Sequence, residues 1–286
     1  MSNDWIRDES QYPGSLHNHT CYSNLKFRDS INRISTLIDY AIELGHEVVA
    51  ITEHDSISNA IKVEKYYDSI KEKYPYFKVI RGNEIYLCRN GLNSENFIPG
   101  TDKYYHFILL AKDAIGHQQI RELSTRAWTR SYFARNQRRI PTYYSDLEEI
   151  IGADPGHVIG ATACLGGCLA TQLLRYGETY DEDLYAQIIN WSNYLNSIFG
   201  QDNFYYELQP SGSPEQNYVN MEIIKLSERT GIPYIITTDS HYLKKEDAVI
   251  HEAYLNSQDA DREVKSFYAT TYMMGTKELE SYTLNS

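Results

Sequence analysis

The fold is decided by the stretch Val48-Val49-Ala50-Ile51-Thr52-Glu53-His54-Asp55. It begins as a short apolar, β-branched run, which is typical of a strand buried on both faces of a parallel sheet. An imidazole and two carboxylates follow at once, where the chain leaves that strand. A buried strand that ends in polar, reactive side chains is typical of α/β enzymes, whose sites lie at the carboxyl ends of their strands.

Strands and helices alternate on both sides of this stretch. The clearest helices are predicted from Asp29 to Leu44, Leu184 to Phe199 and Tyr218 to Thr230, and each is followed by glycine. The alternation predicts an α/β protein with a parallel sheet, closed into a seven-stranded, TIM-like (β/α) barrel. A surface loop is predicted over residues 90–105. The other strands are predicted at Gly14 to His19, Phe77 to Arg81, Phe107 to Ala111, Val158 to Ala161, Phe204 to Leu208 and Tyr234 to Thr237.

Bulk properties indicate an ordinary globular protein. The 286 residues are 42% hydrophobic, and we expect one domain over residues 1–286 with a well-buried core. No apolar run reaches the roughly 18 residues of a membrane span, and the polar start of the chain has no signal-peptide core. We therefore expect a cytoplasmic protein without membrane contact, whose four cysteines are reduced. A net charge of -12 disfavours unspecific adhesion to nucleic acid.

Metal-competent side chains recur at or just past the ends of the other predicted strands. Residues two apart in an extended segment point to the same side, so the two members of such a pair can address one ion. Taken alone, such a pair is also compatible with a polar surface. Its repetition at both ends of the chain, with single donors between, favours a metal site built from several βα units. The residues are His17, His19, His54, Glu84, His106, Cys164, Asp239 and His241.

Arginine is concentrated in one segment of this acidic chain. Aromatic residues Trp128, Tyr132 and Phe133 lie between the arginines. Guanidinium groups suit phosphate and aromatic rings offer stacking faces for unpaired bases, so the segment is a candidate for binding a DNA strand. A solvated helix whose arginines pair with surface acids is the equally weighted alternative. The candidate substrate-binding residues are Arg126, Arg130, Arg135, Arg138 and Arg139.

Six short motifs together resemble the PHP (polymerase and histidinol phosphatase) family, and within it the PHP domain of bacterial and phage DNA polymerase III α subunits. The resemblance spans about residues 15–279. The motifs are Leu16-His17-Asn18-His19-Thr20, Thr52-Glu53-His54, Gly82-Asn83-Glu84, His106 before Leu109-Leu110-Ala111-Lys112, Cys164-Leu165-Gly166-Gly167 and Asp239-Ser240-His241-Tyr242.

The resemblance implies a distorted seven-stranded barrel that holds up to three divalent metal ions, Zn, Mn or Fe. It adds Asp29 to the eight donors above, although that residue would also suit a helix N-cap. By analogy with the family, one ion would be bound by His17, His19, Glu84 and Asp239, a second by Asp29, His54 and His241, and a third by Glu84, His106 and Cys164. Glu53 stands where many members carry Asp, and we expect it to orient His54, while Glu207 is a candidate to orient another ligand.

The function implied is metal-dependent phosphodiester hydrolysis by a metal-activated water, without a side-chain nucleophile. We expect a 3′–5′ DNA exonuclease linked to replication or repair, with a DNA 3′ end or single strand and other replication proteins as partners. Cys164 favours this branch, because the phosphatases of the family generally have His there. The alternatives are a small-molecule phosphomonoesterase of the histidinol phosphatase type and a noncatalytic, metal-stabilised scaffold of a replicative DNA polymerase.

Overall fold

The computed structural model describes residues 14–25, 28–89, 103–134, 137–257 and 268–283. The strands are β1 (Gly14–Ser15), β2 (Val48–Ile51), β3 (Lys78–Arg89), β4 (Lys103–Ala111), β5 (Tyr132–Ala134), β6 (Gln137–Arg139), β7 (Pro141–Tyr143), β8 (Val158–Ala161), β9 (Phe204–Leu208) and β10 (Tyr234–Ile236). The α-helices are α1 (Ile34–Glu43), α2 (Ala60–Ile70), α3 (Ala114–Thr129), α4 (Tyr144–Leu147), α5 (Cys168–Thr179), α6 (Glu182–Phe199), α7 (Pro214–Thr230), α8 (Ala248–Asn256) and α9 (Thr276–Thr283).

The main sheet has the strand order β1-β2-β3-β4-β8-β9-β10, with β7 added beside the outer part of β3. The chain segments that follow β1 and β10 meet in one parallel bridge, Asn18 with Ser240. The predicted α/β class is therefore confirmed, but the predicted closed seven-stranded barrel is confirmed only as a curled sheet of this order. The periodicity of apolar residues predicts individual strands, but it does not show whether the first and last strands of the sheet are hydrogen-bonded to each other.

One strand runs against the prediction of a parallel sheet. β4 is antiparallel to both β3 and β8, and Glu84 of β3 lies opposite Ile108 of β4. β3 and β4 are also longer than predicted, and together they form a ribbon that extends past the other strands. Residues 103–105 of the predicted surface loop belong to β4, and residues 90–102 lie outside the described part of the chain.

The ends of the helices follow the local chemistry of the chain. α7 begins after Ser213, whose hydroxyl accepts a hydrogen bond from the backbone of Gln216, and Pro214 occupies its first turn. It ends at Gly231, which has the positive φ of 72° that a helix terminus of this kind requires. α1 begins at Ile34, five residues later than predicted, because Asp29 and Ser30 are drawn into the site described below.

The largest core cluster lies between the sheet and helices α5, α6 and α7. Phe107, Phe199 and Phe204 are stacked in its centre, with ring centroids 5.7 to 6.2 Å apart. A smaller cluster packs the apolar face of α1 against β2. Among the described residues, no helix combines the length and the apolar composition that crossing a bilayer requires.

Candidate metal centre

The segments that leave the strands are tied together at one end of the sheet. The ties are single β-bridges outside the strands, all between parallel segments. Each bridge contains a predicted metal ligand or a residue next to one. Histidines and acids up to 224 residues apart in the chain, the span from His17 to His241, are thereby brought into one buried cluster. The bridges that concern the site are Asn18 with Ser240, His54 with Glu84, and His106 with Gly167.

Glu84 lies in the middle of this cluster and is completely buried. Its Oε2 atom is 2.8 Å from Nδ1 of His54 and 3.1 Å from Nε2 of His19. Its Oε1 atom is 2.9 Å from Nδ1 of His106. One carboxylate thus faces three imidazoles that come from three different segments, which is the arrangement of a shared ligand.

Two further histidines and two acids surround Glu84. Nε2 of His17 and Nε2 of His19 lie 3.1 Å apart, and each lies 3.1 Å from Oδ1 of Asp239. On the other side, Oδ2 of Asp29 is 3.4 Å from Nε2 of His54 and 3.3 Å from Nε2 of His241. Asp29 is therefore a member of the cluster and not the cap of α1.

Cys164 lies at the edge of the cluster. Its Sγ atom is 3.5 Å from Nδ1 of His106 and accepts a hydrogen bond from the backbone of Gly166. Burial raises the pKa of the thiol well above its usual value, and Asp239 and Glu84 raise it further. Cys164 therefore keeps its proton until a cation displaces it.

The donor atoms fall into three overlapping groups, within each of which all atoms lie within 4.8 Å of one another. This differs from the expected division among three ions in four respects. His19 also joins the group around Asp29, and His54 also joins the group around Glu84. Glu84 is absent from the group of His17 and Asp239, and Cys164 belongs to none of the groups. The groups are His17, His19 and Asp239; His19, Asp29, His54 and His241; and His54, Glu84 and His106.

The chemistry of these donors suits divalent cations. Several buried atoms of the cluster form no hydrogen bond with any described residue, namely Oδ2 of Asp29, Oδ1 of Asp239, both side-chain oxygens of Glu84 and Nδ1 of His54. A buried carboxylate without compensation costs several kcal/mol, so such atoms are paired or coordinate metals in native proteins. Imidazole, carboxylate and thiolate ligands in one cluster suit Zn²⁺ and Fe²⁺ and tolerate Mn²⁺.

The charges of the cluster are strongly coupled. Burial alone would lower the pKa of His17 and His54, but the surrounding carboxylates raise both well above the usual value. Burial would likewise raise the pKa of Glu84 and Asp29, but the neighbouring imidazoles hold both well below the usual range. Without a cation, the acids and imidazoles thus neutralise one another as ion pairs.

Glu207, at the carboxyl end of β9, reaches the far side of His17. Its Oε1 atom is 2.7 Å from Nδ1 of His17 and also accepts hydrogen bonds from Thr237 and Gln209. A carboxylate on one ring nitrogen leaves the other nitrogen, Nε2, directed at the cluster. Glu207 therefore occupies a position from which it orients a ligand of the cluster.

Glu53 acts on a different histidine from the one expected. Its carboxylate accepts hydrogen bonds from Thr20, from Asn59 and, at 2.6 Å, from the Ser23 hydroxyl. The same hydroxyl is 2.9 Å from Nδ1 of His19. Glu53 therefore orients His19 through Ser23, and only the backbone N–H of His54 contacts this network, at Ser23.

Backbone strain is concentrated beside the ligands. Asp55, Ala163 and Asp239 have positive φ values of 51°, 60° and 47°, in the left-handed region that residues with a side chain rarely adopt. Asp55 follows His54, Ala163 precedes Cys164, and Asp239 is itself a ligand candidate. Such strain costs about 1–3 kcal/mol per residue and is found mainly at functional sites.

The predicted substrate-binding arginines separate into two kinds. Arg126 contacts Glu149 and Glu122, and Arg130 forms a bidentate pair with Asp146. Arg138 and Arg139 lie on β6, and no carboxylate lies within 4 Å of either in the part of the chain that the structure describes. Arg135 lies outside the described residues.

Two residues support the site in roles that the sequence did not indicate. His251 of α8 is buried and its Nε2 lies 2.5 Å from the backbone oxygen of Asp29, so it positions the loop that carries this ligand. Trp128 donates from its indole to the backbone oxygen of Asp55, beside His54. Neither residue lies two positions away from a predicted ligand. Each contacts a residue more than seventy positions away in the chain.

Comparison with known proteins identifies relatives over most of the chain. The family model described as PHP domain matches residues 15–211. A DNA-directed DNA polymerase of Bacillus phage SPbeta is 37% identical over 275 residues, which are 92% of this chain and 21% of that protein. The DNA polymerase III subunit alpha of Aquifex aeolicus is 31% identical over 258 residues, 88% of this chain and 19% of that one. The chain thus spans about a fifth of the length of these relatives.

A solved structure from Bifidobacterium adolescentis, described as a candidate metal-dependent phosphoesterase, aligns with a TM-score of 0.44 at 13% identity. The alignment covers 80% of this chain and 87% of that one.

Proposed function

The chain belongs to the PHP domain family, and from that membership we propose that it is a metal-dependent phosphodiesterase that removes nucleotides from the 3′ end of a DNA strand. The observation that carries the proposal is the set of buried carboxylate oxygens on Asp29, Glu84 and Asp239 that have no hydrogen bond. They lie among histidines whose nitrogens are 2.8 to 3.4 Å away. A donor set of this kind supports binding of up to three divalent ions.

Bound divalent ions would make a water molecule acidic enough to attack and would offset the charge of a phosphodiester. Every other task falls to the protein. Glu84 faces His19, His54 and His106 at once and so would be a ligand shared among them. Glu207 and the Glu53–Ser23 pair fix the rings of His17 and His19 from behind. These contacts keep the donors in place before substrate arrives, which is the protein's main contribution to such catalysis.

DNA is supported as the substrate by the relatives and by the distribution of charge. The two relatives are named DNA polymerases, and a polymerase leaves its errors at the 3′ end of the growing strand. On a chain with a net charge of -12, Arg138 and Arg139 on β6 would supply local positive charge for phosphate. A role beside the replication machinery, with other replication proteins as partners, is part of the same proposal.

The proposal is tested by incubating the metal-loaded protein with Mn²⁺ or Zn²⁺ and three substrates. These are a 5′-labelled single strand, a primer-template with a mismatched 3′ end, and p-nitrophenyl phosphate. We expect the label to shorten from the 3′ end on both DNA substrates. Hydrolysis of the monoester alone would favour the histidinol phosphatase type, and bound metal without any hydrolysis would favour a scaffold.

Glu84→Ala is the decisive variant, because it removes the carboxylate shared among the histidines. We expect a loss of at least about 100-fold in hydrolysis together with a lower metal content on elemental analysis. Glu149→Ala is the matched control, since the Glu149 side chain is 63% exposed on the surface. Unchanged turnover in Glu84→Ala would contradict the proposal.

A further inference from the structure

An aromatic surface leads away from the candidate metal centre along one face of the β3–β4 ribbon. Tyr86 lies directly opposite His106, and Cys88 lies directly opposite Tyr104. Glu84, Tyr86 and Cys88 alternate by two along β3, so they share a face, about 6.8 Å apart. The same face of the ribbon therefore carries a metal ligand first and tyrosines farther out.

The rings follow one another at contact distance. The Tyr86 ring lies 4.8 Å from that of His106 and 5.9 Å from that of His54, both in the cluster. The Tyr104 ring lies 6.3 Å beyond Tyr86, and its hydroxyl contacts that of Tyr132 on β5. The three tyrosines are half-buried.

The hairpin beyond Tyr104 carries one arginine on each of its faces. Tyr132 lies opposite Arg139 in the hairpin, and the guanidinium of Arg139 lies 5.2 Å above the ring of Tyr104, so this pair faces the ribbon. Phe133 lies opposite Arg138, whose guanidinium is 4.5 Å from its ring centre, and this pair lies on the other face, because neighbouring residues of a strand point to opposite sides. A cation beside partly exposed rings favours a flat partner that carries negative charge.

We propose that Tyr86, Tyr104 and Tyr132 form a track for unpaired nucleotides of a DNA strand, with Tyr86 at the end nearest the scissile phosphate. The inference rests on the proposed function, which it deepens by naming single-stranded DNA as the substrate. Successive same-face positions on a strand are spaced closely enough for successive bases to stack, while Arg139, which lies over Tyr104, contacts the phosphates. Paired bases cannot reach rings that are half-buried, so a duplex must first fray.

A small phosphoester would reach the metal centre without contacting the outer part of the track. The ring of Tyr104 is separated from the histidines by Tyr86, and Tyr132 lies beyond Tyr104, on the β5–β6 hairpin. Substitutions at these two positions therefore separate strand binding from the chemistry at the ions.

The test measures the affinity of the metal-loaded protein for a fluorescent phosphorothioate deoxythymidine strand of about ten nucleotides, which resists hydrolysis, by anisotropy. We expect Tyr104→Leu and Tyr132→Leu each to raise the Kd by about tenfold, which is the usual effect of removing one base-stacking ring. Tyr234→Leu is the matched control, because Tyr234 is an exposed tyrosine at the amino end of β10, whereas the candidate metal centre lies at the carboxyl ends of the strands. Tyr104→Phe guards against misfolding, since it keeps the ring and should retain the wild-type affinity.

Wild-type Kd values in both Tyr104→Leu and Tyr132→Leu, an equal loss in Tyr234→Leu or Tyr104→Phe, or equal affinity for a blunt duplex would overturn the track. Hydrolysis of the small diester bis(p-nitrophenyl) phosphate by the wild-type protein is measured in parallel. Cleavage of that diester with unaltered strand affinities would refute the track and leave the proposed function intact. Weakened strand affinities without any cleavage would support the track and refute the proposed hydrolysis.

Discussion

His17 and Glu207 are 190 residues apart in the chain and form a contact of 2.7 Å between Nδ1 and Oε1, with both side chains fully buried. Glu207 belongs to none of the three donor groups. Its carboxylate touches the histidine from the side that faces away from the cluster. The orientation of the His17 ring is therefore determined by a residue at the end of a distant strand and not by its neighbours in the sequence.

Glu207→Gln removes the charge behind His17 and keeps the shape of the side chain. We expect metal affinity to fall by about 10- to 100-fold, as is usual when the partner of a metal-bound histidine is removed. Competition with a chromogenic chelator measures this affinity. Glu222→Gln serves as the control, because Glu222 is similarly buried but pairs with Lys225 on α7. Equal affinities for Glu207→Gln and wild-type protein would contradict the orienting role.

Ser23→Ala interrupts the connection between Glu53 and His19. The Ser23 hydroxyl lies 2.6 Å from Glu53 and 2.9 Å from His19, so its loss frees the imidazole to rotate. We expect about tenfold weaker metal binding. Ser197→Ala, which removes an exposed hydroxyl bonded to a helix carbonyl, is the control. If both serine variants bind metal as tightly as the wild type, the relay has no function.

The stability gained from metal should grow with pH. In the metal-free protein the pKa values of His17, His54 and His241 are raised above 6.5, because nearby carboxylates outweigh burial. A raised pKa gives stability that is complete below the unfolded value and is lost as pH rises through the folded value. Metal, in contrast, binds the deprotonated ligands and is favoured as pH rises.

We therefore expect the difference in Tm between metal-loaded and EDTA-treated protein to widen by several degrees between about pH 6.5 and about pH 9. Thermal unfolding followed by circular dichroism at both pH values measures this difference. A constant or narrowing difference would show that these histidines are not protonated in the metal-free fold.

Arg138 and Arg139 should account for the salt dependence of DNA binding. We expect the double substitution to Gln to weaken binding and to reduce the slope of log K against log salt by about 1.4, because two phosphates of a single strand are then no longer neutralised. Titration of a labelled single strand at several salt concentrations gives this slope. Arg126→Gln is the control, since Arg126 is already paired with Glu149 and Glu122. The same slope in the double variant and the wild type would exclude phosphate binding by this pair.

Gly160 on β8 is required by the packing of Phe199. A Cβ atom at position 160 would lie 2.7 Å from Cζ of Phe199, closer than real Cβ contacts permit. We expect Gly160→Ala to lower the free energy of unfolding by about 1–3 kcal/mol through overpacking. Urea unfolding measures this loss, which Phe199→Leu should partly reverse. At Gly152 the nearest atom is 3.7 Å away, so Gly152→Ala should have little effect.

The sequence determined the types and approximate positions of the elements. Val158–Ala161 and Phe204–Leu208 are strands with the predicted bounds, and α6 and α7 end where the glycines indicated. These features depend on apolar periodicity and on local backbone preferences, which neighbouring residues set. The family motifs likewise belong to short segments, which is why they could be recognised one at a time.

The tertiary structure alone decided the direction of β4, the pairing of the arginines and the partners behind the ligands. β4 carries no local mark of its direction, and Arg126 and Arg138 look alike in the sequence, yet one is paired with acids while the other lies against a ring. The Ser23 relay and the contact of His17 with Glu207 join segments far apart in the chain. Such contacts depend on which strand ends meet, and packing of the whole sheet, not local preference, fixes that meeting.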